Sequence, residues 1–273
     1  MSSRTVQDSP RGLIANWGSK AARHGRASLR DTLTLIGTVI LPTGRAKRRR
    51  LKSFRKAHSG ERCVIIGNGP SLNSTKLDLL AGEQVFGLNR FYLMQQRSGV
   101  DPTYHVVVNK LVVEQCRDEL LALTVPLFTT VDNKHLLGDA PHVYYLPNRS
   151  TRTRFSRDIR RGIWEGSTVT YVAMQIAFYM GYRQVVLVGV DHRFTTKGEP
   201  HKTVVSEGSD PNHFDPQYFG RGFRWQLPDL DASETSYRCA KSAYERAGKS
   251  IVDCTAGGAL DVFEKHTLES VIG

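Results

Sequence analysis

The sequence predicts an α/β fold, a Rossmann-like open sheet of mostly parallel strands with helices on both faces, on three observations. Residues 62–67 and 184–191 are nearly unbroken apolar runs, as in strands buried on both faces. Such runs alternate with helical periodicity, which is the pattern of parallel strands joined by crossover helices. The first run ends in a glycine-rich strand-to-helix turn, Gly67-Asn68-Gly69-Pro70-Ser71.

Taken in order, strands are expected at residues 62–67, 84–89, 104–109, 125–129 and 142–146. The clearest helix follows: Ser167 can cap it, and Val169, Val172, Ala173, Ile176, Ala177 and Met180 recur at three- and four-residue spacing. Gly181 ends it. Residues 184–191 return as a buried strand. From 192 to 231 the chain is rich in Gly, Pro, His and aromatics without a sustained period, which points to a substrate-binding lid. A helix over 232–247 and a last strand over 250–253 complete the body, with no internal repeat.

Charge divides the chain in two. The formal net charge is +12, and residues 1–60 hold fourteen Lys/Arg against Asp8 and Asp31, leaving 24 basic and 24 acidic side chains in the rest. Residues 1–60 therefore read as a basic N-terminal extension, and residues 61–273 as one nucleotide-binding catalytic domain. The extension is either a solvated tail or a peripheral anchor, in which Arg and Lys meet anionic lipid while Trp17, Leu33, Leu35, Ile36 and Ile40 dip into the interface. No nucleic-acid module accompanies the basic run, so no nucleic-acid partner is expected. The apolar run over 33–41 comes too late for a secretory signal and is too short to span a bilayer. Cys63, Cys116, Cys239 and Cys254 form no C-x-x-C pair and are expected as free thiols in a reducing cytoplasm.

Chemistry is concentrated at the strand ends. A strand, a glycine turn and a helix start can aim backbone N–H groups at a phosphate, with Gly67 and Gly69 permitting close approach and positive φ, and Pro70 suiting the first helical turn. The turn is neither a Walker loop nor a complete G-x-G-x-x-G, and a two-glycine turn is also compatible with a purely structural role. In an open α/β sheet ligands bind beyond the carboxyl ends of the strands, where Asn68, Asn89, Asn109 and Asp191 all fall. Each amide offers donors and acceptors to a nucleotide. In the lid, His213 can serve as a general base near neutral pH, with His192 and His201 competing for that role.

The motifs Ile65-Ile66-Gly67-Asn68-Gly69-Pro70-Ser71-Leu72, Phe86-Gly87-Leu88-Asn89-Arg90-Phe91-Tyr92, Asn109, Ser167-Thr168 and Val188-Gly189-Val190-Asp191 together resemble the bacterial sialyltransferases of glycosyltransferase family 42. The same order of motifs is similar to the 6-hydroxymethylpterin diphosphokinase-like proteins found with surface-polysaccharide functions. The resemblance spans about residues 62–255. The sialyltransferase model implies a CMP-activated acidic sugar as donor, metal-independent inverting transfer, and donor contacts from Gly67, Asn68, Gly69, Pro70, Ser71, Asn89, Asn109, Ser167 and Thr168. It implies His213 as base with Asp191 in the catalytic set, and Asn212, Tyr218 and Arg221 on the lid or acceptor side. Asn212-His213-Phe214 matches the first part of that family's lid pattern, while Tyr218-Phe219-Gly220-Arg221 supplies no second His.

The implied protein is a nucleotide-sugar-dependent glycosyltransferase of surface glycan assembly. Its partners would be a nucleotide or nucleotide-sugar and a glycan or glycolipid acceptor, in the cytoplasm or at the inner membrane face, with no cofactor or metal. The diphosphokinase model implies instead pyrophosphate transfer from ATP with Mg²⁺, for which Asp191 and Asp210 could supply carboxylates. A non-catalytic nucleotide-binding scaffold is the third reading.

Overall fold

A computed structural model describes residues 49–150 and 153–273. Its strands are β1 (Arg62–Ile66), β2 (Val85–Leu88), β3 (Tyr104–Val106), β4 (Leu127–Thr130), β5 (Val143–Leu146), β6 (Gln184–Val188), β7 (Thr203–Val205), β8 (Arg224–Gln226), β9 (Ser250–Asp253) and β10 (Glu264–Lys265). Its helices are α1 (Tyr92–Ser98), α2 (Lys110–Gln115), α3 (Arg117–Leu121), α4 (Lys134–Leu137), α5 (Val169–Met180), α6 (Leu230–Glu245) and α7 (Leu268–Ile272).

Eight strands form one sheet in the order β10-β9-β6-β1-β2-β3-β4-β5. Every neighbouring pair in it is parallel. Val64 of β1 stands beside Val85 of β2 on one side and Val186 of β6 on the other. The expected Rossmann-like α/β fold is borne out. Because side chains alternate along a strand, the sheet divides the core into two layers. On one face Ile65, Phe86, Val106, Phe128 and Leu187 pack under α5; on the other Val64, Ile66, Val188 and Leu127 meet Leu72, Val112 and Leu120. Chain order reverses at β1, with β2 on one side and β6 on the other, and this switch point opens a crevice at the carboxyl edge.

Several boundaries differ from expectation. Thr168, not Ser167, caps α5: its side chain accepts from Thr170 N, and Ser167 itself sits at φ +62°. Gly181 does end this helix, at φ +103°. The strand at 250–253 is not the last, since β10 pairs with it; two residues of strand carry no period for a sequence reading to find. The lid contains the antiparallel hairpin β7–β8. Its strands are three residues each and show only one buried side chain, Trp225.

The described end of the basic extension lies against the body. Leu51 is buried, and Phe54 packs edge-on against Tyr104, Phe128 and Tyr144. The Arg50 guanidinium stands 4.4 Å over the Tyr144 ring. Trp17, Leu33, Leu35, Ile36 and Ile40, the expected membrane-facing residues, lie outside the described residues. Among the described residues no helix is long and apolar enough to cross a membrane. All four cysteines are free thiols; Cys63, Cys116 and Cys254 are buried and Cys239 is half-buried.

Candidate nucleotide site

A cavity of about 610 Å³ lies along the carboxyl ends of β1, β2, β3, β4 and β6. It is walled by the N-terminus of α5 and roofed by the lid. The structure brings Gly67, Asn68, Gly69, Asn89, Asn109, Ser167, Thr168, Asp191, Asn212 and His213 to it, and leaves Pro70, Ser71, Tyr218 and Arg221 out of its lining.

The glycine turn works differently from expectation. Neither Gly67 nor Gly69 has positive φ. Both are required by contact: a Cβ on Gly67 would lie 2.2 Å from the Gly189 carbonyl oxygen, and one on Gly69 would lie 1.8 Å from Asp191 Oδ2. Pro70 opens a five-residue 3₁₀ turn, Pro70–Ser74, rather than an α-helix. Its N-terminus is already taken, because Ser71 N donates to Asp191 Oδ1 at 3.1 Å and Ser71 Oγ to Oδ2 at 2.6 Å. Ser71 and the start of its turn are therefore engaged by the Asp191 carboxylate, a clamp across the switch point, while Gly67, Asn68 and Gly69 remain on the cavity wall.

The asparagines also separate. Asn109 caps α2, its Oδ1 accepting from Leu111 N at 2.9 Å and its Nδ2 reaching Gln226 Oε1 in the lid at 3.4 Å. Asn68 and Asn89 each carry a buried Oδ1 with no hydrogen-bond partner, and Asn89 sits at φ +49°. Asn133, which the sequence reading missed, joins them: it is 1% exposed, lines the cavity and has an unpartnered Oδ1. Buried polar atoms are nearly always satisfied in folded proteins, so orphans gathered on one cavity make it the candidate place for a ligand or ordered water to supply partners. Only its place at the end of the Phe128-Thr129-Thr130 strand could have pointed to Asn133.

The lid presents a histidine in a constrained setting. His213 Nδ1 lies 2.7 Å from Asp210 Oδ2, and its ring stacks on Tyr218 at 4.0 Å between centroids and 7° between planes. Asp210 is buried and also accepts from Asn212 N and Phe219 N. With Nδ1 engaged, Nε2 is the nitrogen left for chemistry. Tyr218 is fully buried beneath it, and burial pushes its phenol well up. Tyr218 thus supports His213 from beneath and does not line the cavity. Asn212 is spent inside the lid, accepting from Thr195 N and Oγ1. Arg221 is exposed, donates to the Glu207 carbonyl and lies away from the cavity. Arg90, missed in the sequence, pins the lid by donating to the carbonyls of Gln217 and Tyr218.

The competing histidines are less suited to act as base. His201 is mostly exposed beside Asp229 at 3.4 Å. His192 is half-buried, and burial lowers its pKa; Nε2 stands 3.4 Å from Glu234 Oε1. Lys110 and Arg193 are the lysine and arginine of the lining, which also holds Asp132, Glu165, Asp191 and Asp229. Of the carboxylates named in the diphosphokinase model, Asp191 accepts from Ser71 and Asp210 pairs with His213. Among the described residues no group of three or more His, Cys, Asp or Glu is placed to hold a metal ion.

Sheet, switch-point crevice and lid define an α/β protein with a Rossmann-like ligand cleft. Residues 42–197, more than half of the chain, match the family model described as 6-hydroxymethylpterin diphosphokinase MptE-like, and the chain belongs to that family. The match ends before Asp210 and His213. No curated protein matches the chain. Among solved structures, the MAf glycosyltransferase from Magnetospirillum magneticum AMB-1 is similar in fold, with a TM-score of 0.51 and 14% identity over 82% of this chain and 38% of that one. The chain thus spans well under half the length of that protein. Family and fold neighbour together support the superfamily read from the Gly-Asn-Gly-Pro-Ser-Leu motif.

Proposed function

We propose that the protein is a nucleotide-sugar-dependent glycosyltransferase, using a CMP-activated acidic sugar and a glycan or glycolipid acceptor. The observation that carries this reading is the lid arrangement in which Asp210 and Tyr218 orient His213 over the switch-point cavity. His213 Nε2 would take the proton of the acceptor hydroxyl. The hydroxyl oxygen would bond to the anomeric carbon as the bond from that carbon to the phosphate oxygen breaks, so that CMP leaves carrying the electron pair. Asp210 would stabilise the imidazolium so formed. Such a positioned base contributes about 10²–10⁴ in rate.

Charge in the cleft favours a monophosphate donor. Lys110 and Arg193 share the lining with carboxylates, a poor match for a triphosphate without a metal. One phosphate is better served by the N-terminus of α5, a 12-residue helix whose Ser167 and Thr168 border the cavity. The family name favours the rival reading, pyrophosphate transfer from ATP. In either case the body acts on cytoplasmic nucleotides, and the basic N-terminal residues hold it near an anionic membrane surface.

A thermal-shift panel of CMP, CDP, UDP, GDP and ATP, each with and without Mg²⁺, tests this. A nucleotide at 100 times its dissociation constant adds about 2.7 kcal/mol. Stabilisation by CMP or CDP without metal supports the transferase. Stabilisation by ATP only with Mg²⁺ replaces it with the diphosphokinase, and no response to any nucleotide removes both.

A further inference from the structure

Asn133 closes the β4 end of the cleft, and its amide orientation is fixed. Nδ2 donates to the Val108 carbonyl at 3.1 Å and to Thr129 Oγ1 at 3.0 Å. A peptide carbonyl can only accept, so Val108 determines which end of the amide is nitrogen. The orphan atom is therefore an acceptor, Oδ1, in a side chain 1% exposed on the cavity wall. A phosphate, which offers only acceptor oxygens at neutral pH, cannot satisfy it. A ligand group that meets it has to carry an N–H or O–H.

Position narrows the choice. In the sheet order β4 is three strands from β1 and four from β6, or about 14 and 19 Å at the usual strand spacing. The lid histidine is anchored above β1, where Phe214 N donates to the Asn68 carbonyl at 3.0 Å. Asn133 and His213 thus stand at opposite ends of a cleft long enough for a nucleotide and a sugar. Val108, whose carbonyl accepts from Asn133, presents an apolar side chain to the wall, and Leu88 at the end of β2 continues that apolar lining, a surface suited to a flat ring. Of the parts of a nucleotide, the base is the one farthest from the transferred group.

Resting on the nucleotide reading above, we infer that Asn133 Oδ1 receives the exocyclic amino group of the base, so that the cleft selects cytosine over uracil and adenine over hypoxanthine. Each pair differs at that edge by an amine in place of a carbonyl, and the carbonyl would set oxygen against oxygen. A site built to hydrogen-bond one group rejects the analogue lacking it, because its buried partner is left unpaired.

The test is calorimetric titration of the full chain with CMP, UMP, AMP and IMP. The amino member of at least one pair should bind tenfold or more tightly than its carbonyl counterpart, and Asn133→Leu should bring that ratio close to one. Asn133 is buried, so a second measurement uses the unaltered protein: N4,N4-dimethyl-CMP should lose tenfold or more relative to CMP if CMP is the ligand that binds. Equal affinities within both pairs, or a ratio unchanged by Asn133→Leu, overturn the assignment while leaving the nucleotide reading intact. Absence of binding by every nucleotide overturns both.

Discussion

Asp191 and Ser71, 120 residues apart in sequence, are joined by two hydrogen bonds that tie the exit of β6 to the exit of β1. The start of the turn that follows the glycines is thereby engaged by the protein itself. Hydrogen bonds to a charged group are worth about 1.5–3 kcal/mol, so Ser71→Ala should lower stability by an amount in that range. Gly69→Ala should be worse, at least about 2–3 kcal/mol, because its Cβ would collide with Asp191 Oδ2 at 1.8 Å. Urea denaturation at neutral pH measures both, and a Gly69→Ala protein as stable as the parent would refute the contact.

Asn109 separates a capping role from a ligand-binding one. As the cap of α2, Asn109→Ala should cost about 1 kcal/mol of stability. Nucleotide affinity should change by less than about threefold, whereas Asn68→Ala and Asn89→Ala should weaken it by tenfold or more. Titration of the three variants against the same nucleotide decides between the roles.

His213→Gln should reduce transfer by about 10²–10⁴ while leaving the dissociation constant of the donor nucleotide within a few-fold. Asp210→Asn should cost less than His213→Gln but move in the same direction, since it loosens the ring without removing it. Kinetics with a CMP-sugar and binding by calorimetry separate the two quantities. An Asp210→Asn enzyme with unchanged kcat would show the pair to be structural.

His105 gives the fold a pH dependence. It is fully buried, with Nε2 2.7 Å from the Asn89 carbonyl, and burial lowers its pKa from 6.5 to about 4. The unfolded chain takes up this proton below about pH 6.5 and the folded chain only near pH 4. Its contribution is thus fully present above pH 6.5 and is lost as the pH falls towards 4, by about 3 kcal/mol in all. Denaturation at several pH values should show that slope in the parent and a flatter one in His105→Phe.

Much of the sheet was readable because its signal is local. The runs ending at Ile66, Leu88 and Val188 are apolar after their first residues, as burial on both faces requires, while the run ending at Val106 carries His105 in its middle. The gathering of Asn68, Asn89 and Asp191 followed from the same strand ends. What escaped depends on distant partners. Nothing near Ser71 reveals that Asp191 will cap it, and nothing near Tyr218 reveals that a histidine will lie on it. Asp210 and His213 are three residues apart, yet their pairing is made by a turn with no periodic signature. Asn133 looks like an ordinary loop residue until Val108 turns its amide.

The placement of β1 between β2 and β6 also governs how the chain is made. β1 gains its second neighbour only when β6 has left the ribosome, about 120 residues later, or roughly 6–24 s at ordinary rates of synthesis. Throughout that interval the nascent chain carries an unpaired apolar edge at the future centre of the molecule, the kind of edge that recruits foreign strands. The order of translation therefore sets how long β1 stays open to such pairing before β6 closes it.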